Sequence, residues 1–308
     1  MKNPFNIVAI VVVASALGCL PLWAQTARPL AAAHASKASP KAANVTQASK
    51  VDLSAPLPGA AAIRQRVMEN FKKTEAEQER YICRIAHEHD LTDKHGNIKK
   101  GEVKDYDMFF VHGREIDELV AKNGKTLDAD KQKKEADRVK KEIEKDSDEK
   151  YVAKEQAEDL KELDAMLHAL RYTNGRRQIV DGRSTLLYDL SGDPKFHPKN
   201  VQESFIHNMH GTIQVDEQTG ELLDLDAHLD HDVKIGGGLV ANVHKGFWLH
   251  IHQVRHPDGV WLPSLIEGKG DARAVLFMHP YFQFKQTTSN CRLTNVTTET
   301  GPATVAQP

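Results

Sequence analysis

The sequence predicts an α+β fold in which a strongly curved antiparallel sheet is wrapped around helices. Apolar and polar residues alternate in many short segments separated by turn sequences, a pattern typical of antiparallel strands. A helical period appears near residue 60 and again in a highly charged segment in the middle of the chain. Because these helices interrupt a series of strands rather than alternate with them, we expect them to pack on one sheet.

The composition indicates a globular protein and excludes several functional classes. Of the 308 residues, 40% are hydrophobic and 27% are charged. The 41 Lys and Arg residues balance 43 Asp and Glu residues, so charge gives no reason to expect a nucleic-acid partner. Three cysteines are too few for a disulfide scaffold, and no C-x-x-C motif is present for zinc or redox chemistry.

The first 24 residues are typical of a signal peptide. Lys2 precedes an apolar run over 7–20, which is shorter than the roughly 20 residues that span a bilayer. Cleavage after Ala24 is the main prediction; lipidation of Cys19 and a retained anchor are the alternatives. Each of them predicts an exported protein. No second hydrophobic segment follows, so we expect the rest of the chain not to be integral to a membrane.

The folded domain is predicted over 59–293, between a disordered tether at 25–58 and a disordered tail at 294–308, because both flanks lack bulky apolar residues. Its first element is an amphipathic helix over about 60–78. An antiparallel meander follows. Its strands are predicted from Tyr81 to a turn at 93–97, over about 98–111, and over about 114–121.

A charged segment over 128–170 interrupts the strands. Asp, Glu, Lys or Arg occupies 24 of the 37 positions between Asp128 and Asp164, and a thin apolar stripe recurs every three or four residues. The pattern predicts a long charged helical insertion, either one helix or a hairpin that bends at 146–148. Two roles remain open: a solvated helix stabilised by ion pairs, or a coiled-coil-like arm that binds an envelope protein.

Strands resume after this insertion and continue to the end of the domain. A short helix is expected at about 200–208, and Gly236, Gly237 and Gly238 form a predicted turn. The predicted strands are about 177–181, 183–190, 210–216, 221–235, 239–256, 260–268, 272–284 and 288–293.

The apolar faces of these strands supply candidate ligand-binding residues. Alternation is clearest over 221–235 and 245–256, where one face is apolar and the other carries Asp and His residues. Such a face could fill a closed core or line a cavity for an acyl chain, and the pattern is compatible with both. The candidate lining residues are Met108, Phe110, Leu225, Leu229, Phe247, Leu249, Ile251 and Leu276.

Sixteen histidines raise the question of a metal site. If Ile235 pairs directly with Leu239, Asp230 lies opposite His244, and Asp224 lies opposite His250. These two pairs could hold Zn²⁺ or another divalent ion. Ordinary cross-strand pairs are the competing interpretation, and the main prediction is that the protein has no metal and no cofactor.

Catalytic motifs are missing from the sequence. It contains no G-x-S-x-G, H-E-x-x-H, P-loop or dinucleotide-binding motif, so we expect a protein that is not an enzyme. Cys83 and Cys291 lie in the first and last predicted strands. In an oxidising compartment they could form a disulfide that closes a very long loop, or remain two buried free thiols.

Several motifs resemble the LolA/LolB-like group, the outer-membrane lipoprotein-sorting proteins and the related RseB-type sensor domains. The opening strand contains Arg80-Tyr81-Ile82-Cys83, and Asn123-Gly124-Lys125 precedes the charged segment. The second half contains Pro257-Asp258-Gly259-Val260-Trp261-Leu262-Pro263, then Phe282-x-Phe284 and Thr288-Ser289-Asn290-Cys291-Arg292-Leu293. The resemblance covers about 60–293.

This resemblance implies an unclosed β-barrel with helices on its concave side, located in the periplasm. It implies a non-enzymatic carrier whose partner is a lipid or a lipoprotein acyl chain, with no catalytic residues. An envelope sensor that contacts its partner through 128–170 is the alternative, because that segment is longer and more charged than in the carriers.

Overall fold

A computed structural model describes residues 55–238, 240–274 and 279–294. The predicted signal peptide, most of the predicted tether, nearly all of the predicted tail, and the candidate Leu276 lie outside the described residues. Within the described part of the chain, no helix is both long enough and apolar enough to cross a membrane.

Four α-helices are present in the described residues. Helix α1 spans Ala60–Gln78, as predicted, and α2 and α3 span Ala129–Asp146 and Glu149–Ala169. The short helix α4 spans Val201–His207. Asp148 caps the N-terminus of α3, because its carboxylate accepts hydrogen bonds from the backbone N–H groups of Lys150 and Tyr151, so Ser147 and Asp148 separate α3 from α2.

The strands form one antiparallel sheet. Its order is β4-β3-β2-β1-β13-β12-β11-β8-β7-β6-β5, and β10 pairs with both β12 and β9. Since β4 and β5 are unpaired edges, the sheet is not closed, and the predicted α+β class with a large open antiparallel sheet is confirmed. The strands are β1 Tyr81–Thr92, β2 Ile98–Val111, β3 Arg114–Lys122, β4 Lys125–Thr126, β5 Leu170–Val180, β6 Arg183–Gly192, β7 Met209–Asp216, β8 Leu222–Leu229, β9 Val233–Ile235, β10 Ala241–Val243, β11 Trp248–Arg255, β12 Trp261–Ala274 and β13 Tyr281–Leu293.

The predicted strands over 221–235 and 239–256 are each divided in two, and their pairing differs from the prediction. Ile235 pairs with Ala241 rather than with Leu239, because the turn uses two more residues than a direct connection. Its three glycines all have positive φ, which closes a wider loop. A shift of two positions keeps every side chain on its predicted face but changes its partner, so His250 pairs with Asp226 instead of Asp224.

The first and last strands of the domain are neighbours in the sheet. Tyr81 at the start of β1 pairs with Leu293 at the end of β13. Between these strands, the sulfur atoms of Cys83 and Cys291 are 2.03 Å apart, so of the two alternatives for these cysteines the structure contains the disulfide.

Two apolar clusters pack helices on the sheet, and another lies within the sheet itself. The largest packs Met166 of α3 and Phe205 of α4 against β8, β11, β12 and β13. In the second, Ile63 of α1 packs on β6 and β7, and the third lies around the Cys83 end of β1. The clusters meet beneath α1, and the gap between them is the cavity described next.

Candidate ligand site: an apolar cavity beneath helix α1

A cavity of about 150 Å³ lies between α1, α3 and the sheet. Helix α1 contributes Ile63, Val67 and Phe71, which recur at intervals of four and therefore form one stripe facing the sheet. Helix α3 contributes Leu163 and Leu167. The sheet supplies further apolar walls: Ile85, Met108, Phe110, Tyr172, Tyr188, Ile213, Val215, Leu222 and Leu262.

Polar contacts at the edges of α1 hold it over the cavity. The Asn70 side-chain amide donates to the carbonyl oxygen of Thr219 at 2.8 Å, and the Gln78 amide donates to the carbonyl oxygen of Trp261 at 3.0 Å. Gly220 lies against the backbone of Val67, and a Cβ atom there would be only 3.0 Å from the Val67 nitrogen. The helix is thus fixed along its polar side, while its apolar stripe is not completely packed.

A few polar side chains also line the cavity. Arg64 is half-buried and makes no hydrogen bond or ion pair with the residues that the structure describes. The side-chain oxygen of Gln253 is buried without a hydrogen-bond partner. Such groups can orient a ligand in an otherwise apolar site, because an unpaired buried acceptor gains a hydrogen bond only when a donor enters.

Burial shifts the acid–base behaviour of two lining residues. It raises the pKa of the Tyr172 phenol to about 12, so this side chain stays neutral at physiological pH. It also raises the pKa of the Glu221 carboxyl, although a hydrogen bond from the Thr74 hydroxyl acts in the opposite direction. The raised pKa of Glu221 reduces negative charge inside the cavity, which favours an apolar occupant.

Two of the predicted ligand-binding residues line this cavity, and five do not. Met108 is buried at its wall, and Phe110 is half-buried there. The other five belong to the largest apolar cluster, where the ring centroids of Phe205 and Phe247 are 5.4 Å apart. These five predicted residues lie in the packed core and not in the cavity wall: Leu225, Leu229, Phe247, Leu249 and Ile251.

Helix α1 was not among the predicted parts of the site. The apolar stripe of Ile63, Val67 and Phe71 is visible in the sequence, but it predicts only that this face of the helix is buried. Which strands it covers depends on the sheet order, in which β1 and β13 are neighbours although they lie at opposite ends of the domain. No local pattern in the sequence gives that order.

The four residues of the alternative metal site are not brought together. Asp224 lies 3.1 Å from His250 Nε2 and also 3.1 Å from His252 Nδ1. His244 instead contacts Asp232 at 3.1 Å, and Asp230 lies beside His210 on β7. The predicted contact between Asp224 and His250 is thus present, whereas the two-residue change of register described above places His244 beside Asp232 instead of Asp230.

Acidic neighbours affect the protonation of His250. Burial disfavours its charged form, but hydrogen bonds to Asp224 and Glu267 outweigh that effect, so the pKa of His250 is raised. Its Nδ1 atom lies 3.4 Å from Glu267, and its Nε2 atom is the one that contacts Asp224. The polar face of the sheet therefore carries a positive charge at His250 in mildly acidic solution.

Comparison with known proteins finds no family model, no curated protein and no solved structure that matches this chain. Its function must be inferred from the cavity and from the side chains around it.

Proposed function

We propose that this protein is a periplasmic, non-enzymatic carrier that binds the acyl chain of a lipid or lipoprotein beneath α1. The cavity carries this proposal, because its walls are apolar and its few polar groups lie among them. The resemblance to the LolA/LolB-like group supports the same conclusion. In this proposal the open sheet is a strongly curved, unclosed barrel with α1 on its concave side.

The size of the cavity limits what can enter without rearrangement. An engineered cavity of about 150 Å³ in another protein binds benzene, so this one can hold only the last few carbons of a chain. A longer chain requires α1 to move outward. The contacts of Asn70 and Gln78 hold the helix by its polar side and would have to lengthen or break.

Arg64 is the side chain best suited to the polar end of such a ligand. It lines the cavity and makes no ion pair with the described part of the chain, and guanidinium groups bind carboxylates and phosphates through paired hydrogen bonds. We expect an anionic head group at Arg64 and the apolar chain between α1 and β7.

A series of saturated fatty acids with increasing chain length tests this proposal by titration calorimetry. Each additional methylene that enters the cavity is expected to tighten binding about fourfold, because its burial contributes about 0.8 kcal/mol. The gain should stop once the cavity is full. Val67→Phe and Ile213→Phe fill the cavity from opposite walls and should both weaken binding strongly.

The matched control is Ile251→Val, which removes one methyl group from the packed core and not from the cavity. It should lower stability by about 1 kcal/mol and leave fatty-acid binding unchanged. Binding that is absent at every chain length, or that survives both phenylalanine variants, would contradict the proposal.

A second candidate is an envelope sensor that contacts a protein partner through the long charged helical insertion. In α2 only Val139 and Asp146 are buried, and the lysines at 133, 134, 140 and 141 are exposed. Reversing those four charges to Glu should abolish complex formation in envelope extracts while fatty-acid binding persists. Deleting the segment is less informative, because Leu163 and Leu167 also line the cavity.

A further inference from the structure

Two histidines face each other on adjacent strands of the polar sheet face. His210 near the start of β7 pairs directly with His228 near the end of β8, and their ring centroids are 3.5 Å apart. Gly211, the next residue of β7, allows this close approach, because a Cβ atom there would clash with the carbonyl oxygen of Asp226. The backbone thus brings the two imidazole rings together.

A carboxylate completes this cluster. Asp230 follows β8 directly, and its Oδ1 atom lies 2.5 Å from His210 Nδ1. Its backbone N–H donates to the carbonyl oxygen of Asn208 at 2.9 Å, which fixes the chain at this position. One ligand atom from each of His210, His228 and Asp230 lies within 4.8 Å of the other two.

The nitrogen atoms of this cluster are poorly satisfied by the protein itself. His210 Nδ1 is buried and has no hydrogen-bond partner in the described part of the chain, although Asp230 Oδ1 lies 2.5 Å from it. His228 makes no hydrogen bond with the residues that the structure describes.

We propose that His210, His228 and Asp230 form a binding site for Zn²⁺ or a similar first-row divalent ion. Two imidazole nitrogens and one carboxylate oxygen are typical zinc ligands, and three protein ligands leave one coordination position for water or another molecule. In a tetrahedral site, ligand atoms about 2 Å from the metal are about 3.3 Å apart, so small side-chain rotations suffice. This site is independent of the cavity beneath α1.

Titration of ZnCl₂ into the full chain, purified without a polyhistidine tag, tests the proposal. We expect one tight site per chain by calorimetry. His228→Gln and Asp230→Asn should each lower the affinity for zinc by more than about tenfold. Even a residue that only hydrogen-bonds to a metal ligand contributes about this much to affinity. Circular dichroism on each variant checks that it is folded, and two different substitutions guard against a single misfolded one.

The matched control is His250→Gln. His250 lies on the same face of the sheet, but its acidic neighbours are Asp224 and Glu267. Its zinc affinity should equal that of the unchanged protein. The proposal is overturned if the full chain binds no zinc tightly, or if His250→Gln weakens binding as much as His228→Gln does.

Trp248 offers a second measurement that locates the ion. It is the direct neighbour of His228 on β11, and cross-strand side chains have Cβ atoms about 5 Å apart. Bound Cu²⁺ at the proposed site should therefore quench the fluorescence of Trp248, and the quenching should be absent in His228→Gln. Equal quenching in both proteins would place the ion elsewhere and contradict the assignment.

Discussion

At the scale of single residues, His250 makes a testable contribution to stability. Its pKa is raised in the folded protein by Asp224 and Glu267, which outweigh the opposing effect of burial. A histidine whose pKa is raised by folding stabilises the fold fully at pH values below its ordinary pKa of about 6.5. This stabilisation is lost as the pH rises through the pKa of the histidine in the folded protein. We predict that His250→Gln lowers the free energy of unfolding at pH 5.5, by less than about 1 kcal/mol, and hardly at pH 8.

Urea denaturation at both pH values, with a chelator present, measures this difference. His168→Gln is the control, because His168 pairs with Asp164 on α3 and both side chains are about half exposed. The control should show no comparable dependence on pH. A loss of stability in His250→Gln that is the same at both pH values would instead indicate lost packing.

At the scale of secondary-structure elements, Arg114 connects the middle of the chain to the sheet through ion pairs with Asp159 and, at 3.7 Å, with Glu155. Arg114 of β3 lies 2.8 Å from Asp159 of α3, and their side chains are only 14% and 10% exposed. Burial raises the pKa of Asp159, and the guanidinium opposes that rise. The ion pair with Arg114 therefore favours the negatively charged form of Asp159, which burial disfavours.

We predict that Arg114→Ala lowers the free energy of unfolding by about 3 kcal/mol, because it leaves Asp159 buried without its partner. Adding Asp159→Ala should recover part of this loss. Lys154→Ala is the control, since Lys154 and Glu158 are 70% and 60% exposed and such pairs contribute less than about 1 kcal/mol. If Arg114→Ala and Lys154→Ala lower the free energy of unfolding equally in urea denaturation, Arg114 does not stabilise a buried charge on Asp159.

Individual elements were predictable where a local pattern decides them. Helix α1 occupies the predicted residues 60–78, because its apolar stripe has a helical period. Alternation also assigned the buried faces of β8 and β11 correctly. It could not distinguish the packed core around Ile251 from the cavity around Met108, because both have the same apolar faces and differ only in which helix covers them.

The pairing between elements was less accessible to sequence reasoning. The register of β9 and β10 depends on how many residues the turn after Ile235 uses, and a glycine-rich turn permits several lengths. With that register His244 contacts Asp232 instead of Asp230, whereas Asp224 still contacts His250. The triad of His210, His228 and Asp230 was missed for a related reason, since His210 comes from β7 and no local pattern in the sequence pairs it with His228.

At the scale of the whole molecule, the sheet depends on pairing between the two ends of the domain. Strands β1 and β13 lie next to each other in the interior of the strand order, although Cys83 and Cys291 are separated by 208 positions. Bringing such distant segments together costs considerable chain entropy. A crosslink at this place removes that cost from folding, because the ends are already joined in the unfolded chain.

We predict that Cys83→Ala/Cys291→Ala lowers the free energy of unfolding by about 2–5 kcal/mol, as measured by urea denaturation. Part of the loss could come from packing, since Cys83 is only 1% exposed and lies against Ile85 and Leu262. The unchanged protein reduced with dithiothreitol separates the two effects, because it lacks the crosslink but keeps both sulfur atoms. If the reduced protein is as stable as the oxidised one, the crosslink contributes nothing and the β1–β13 pairing is stable by itself.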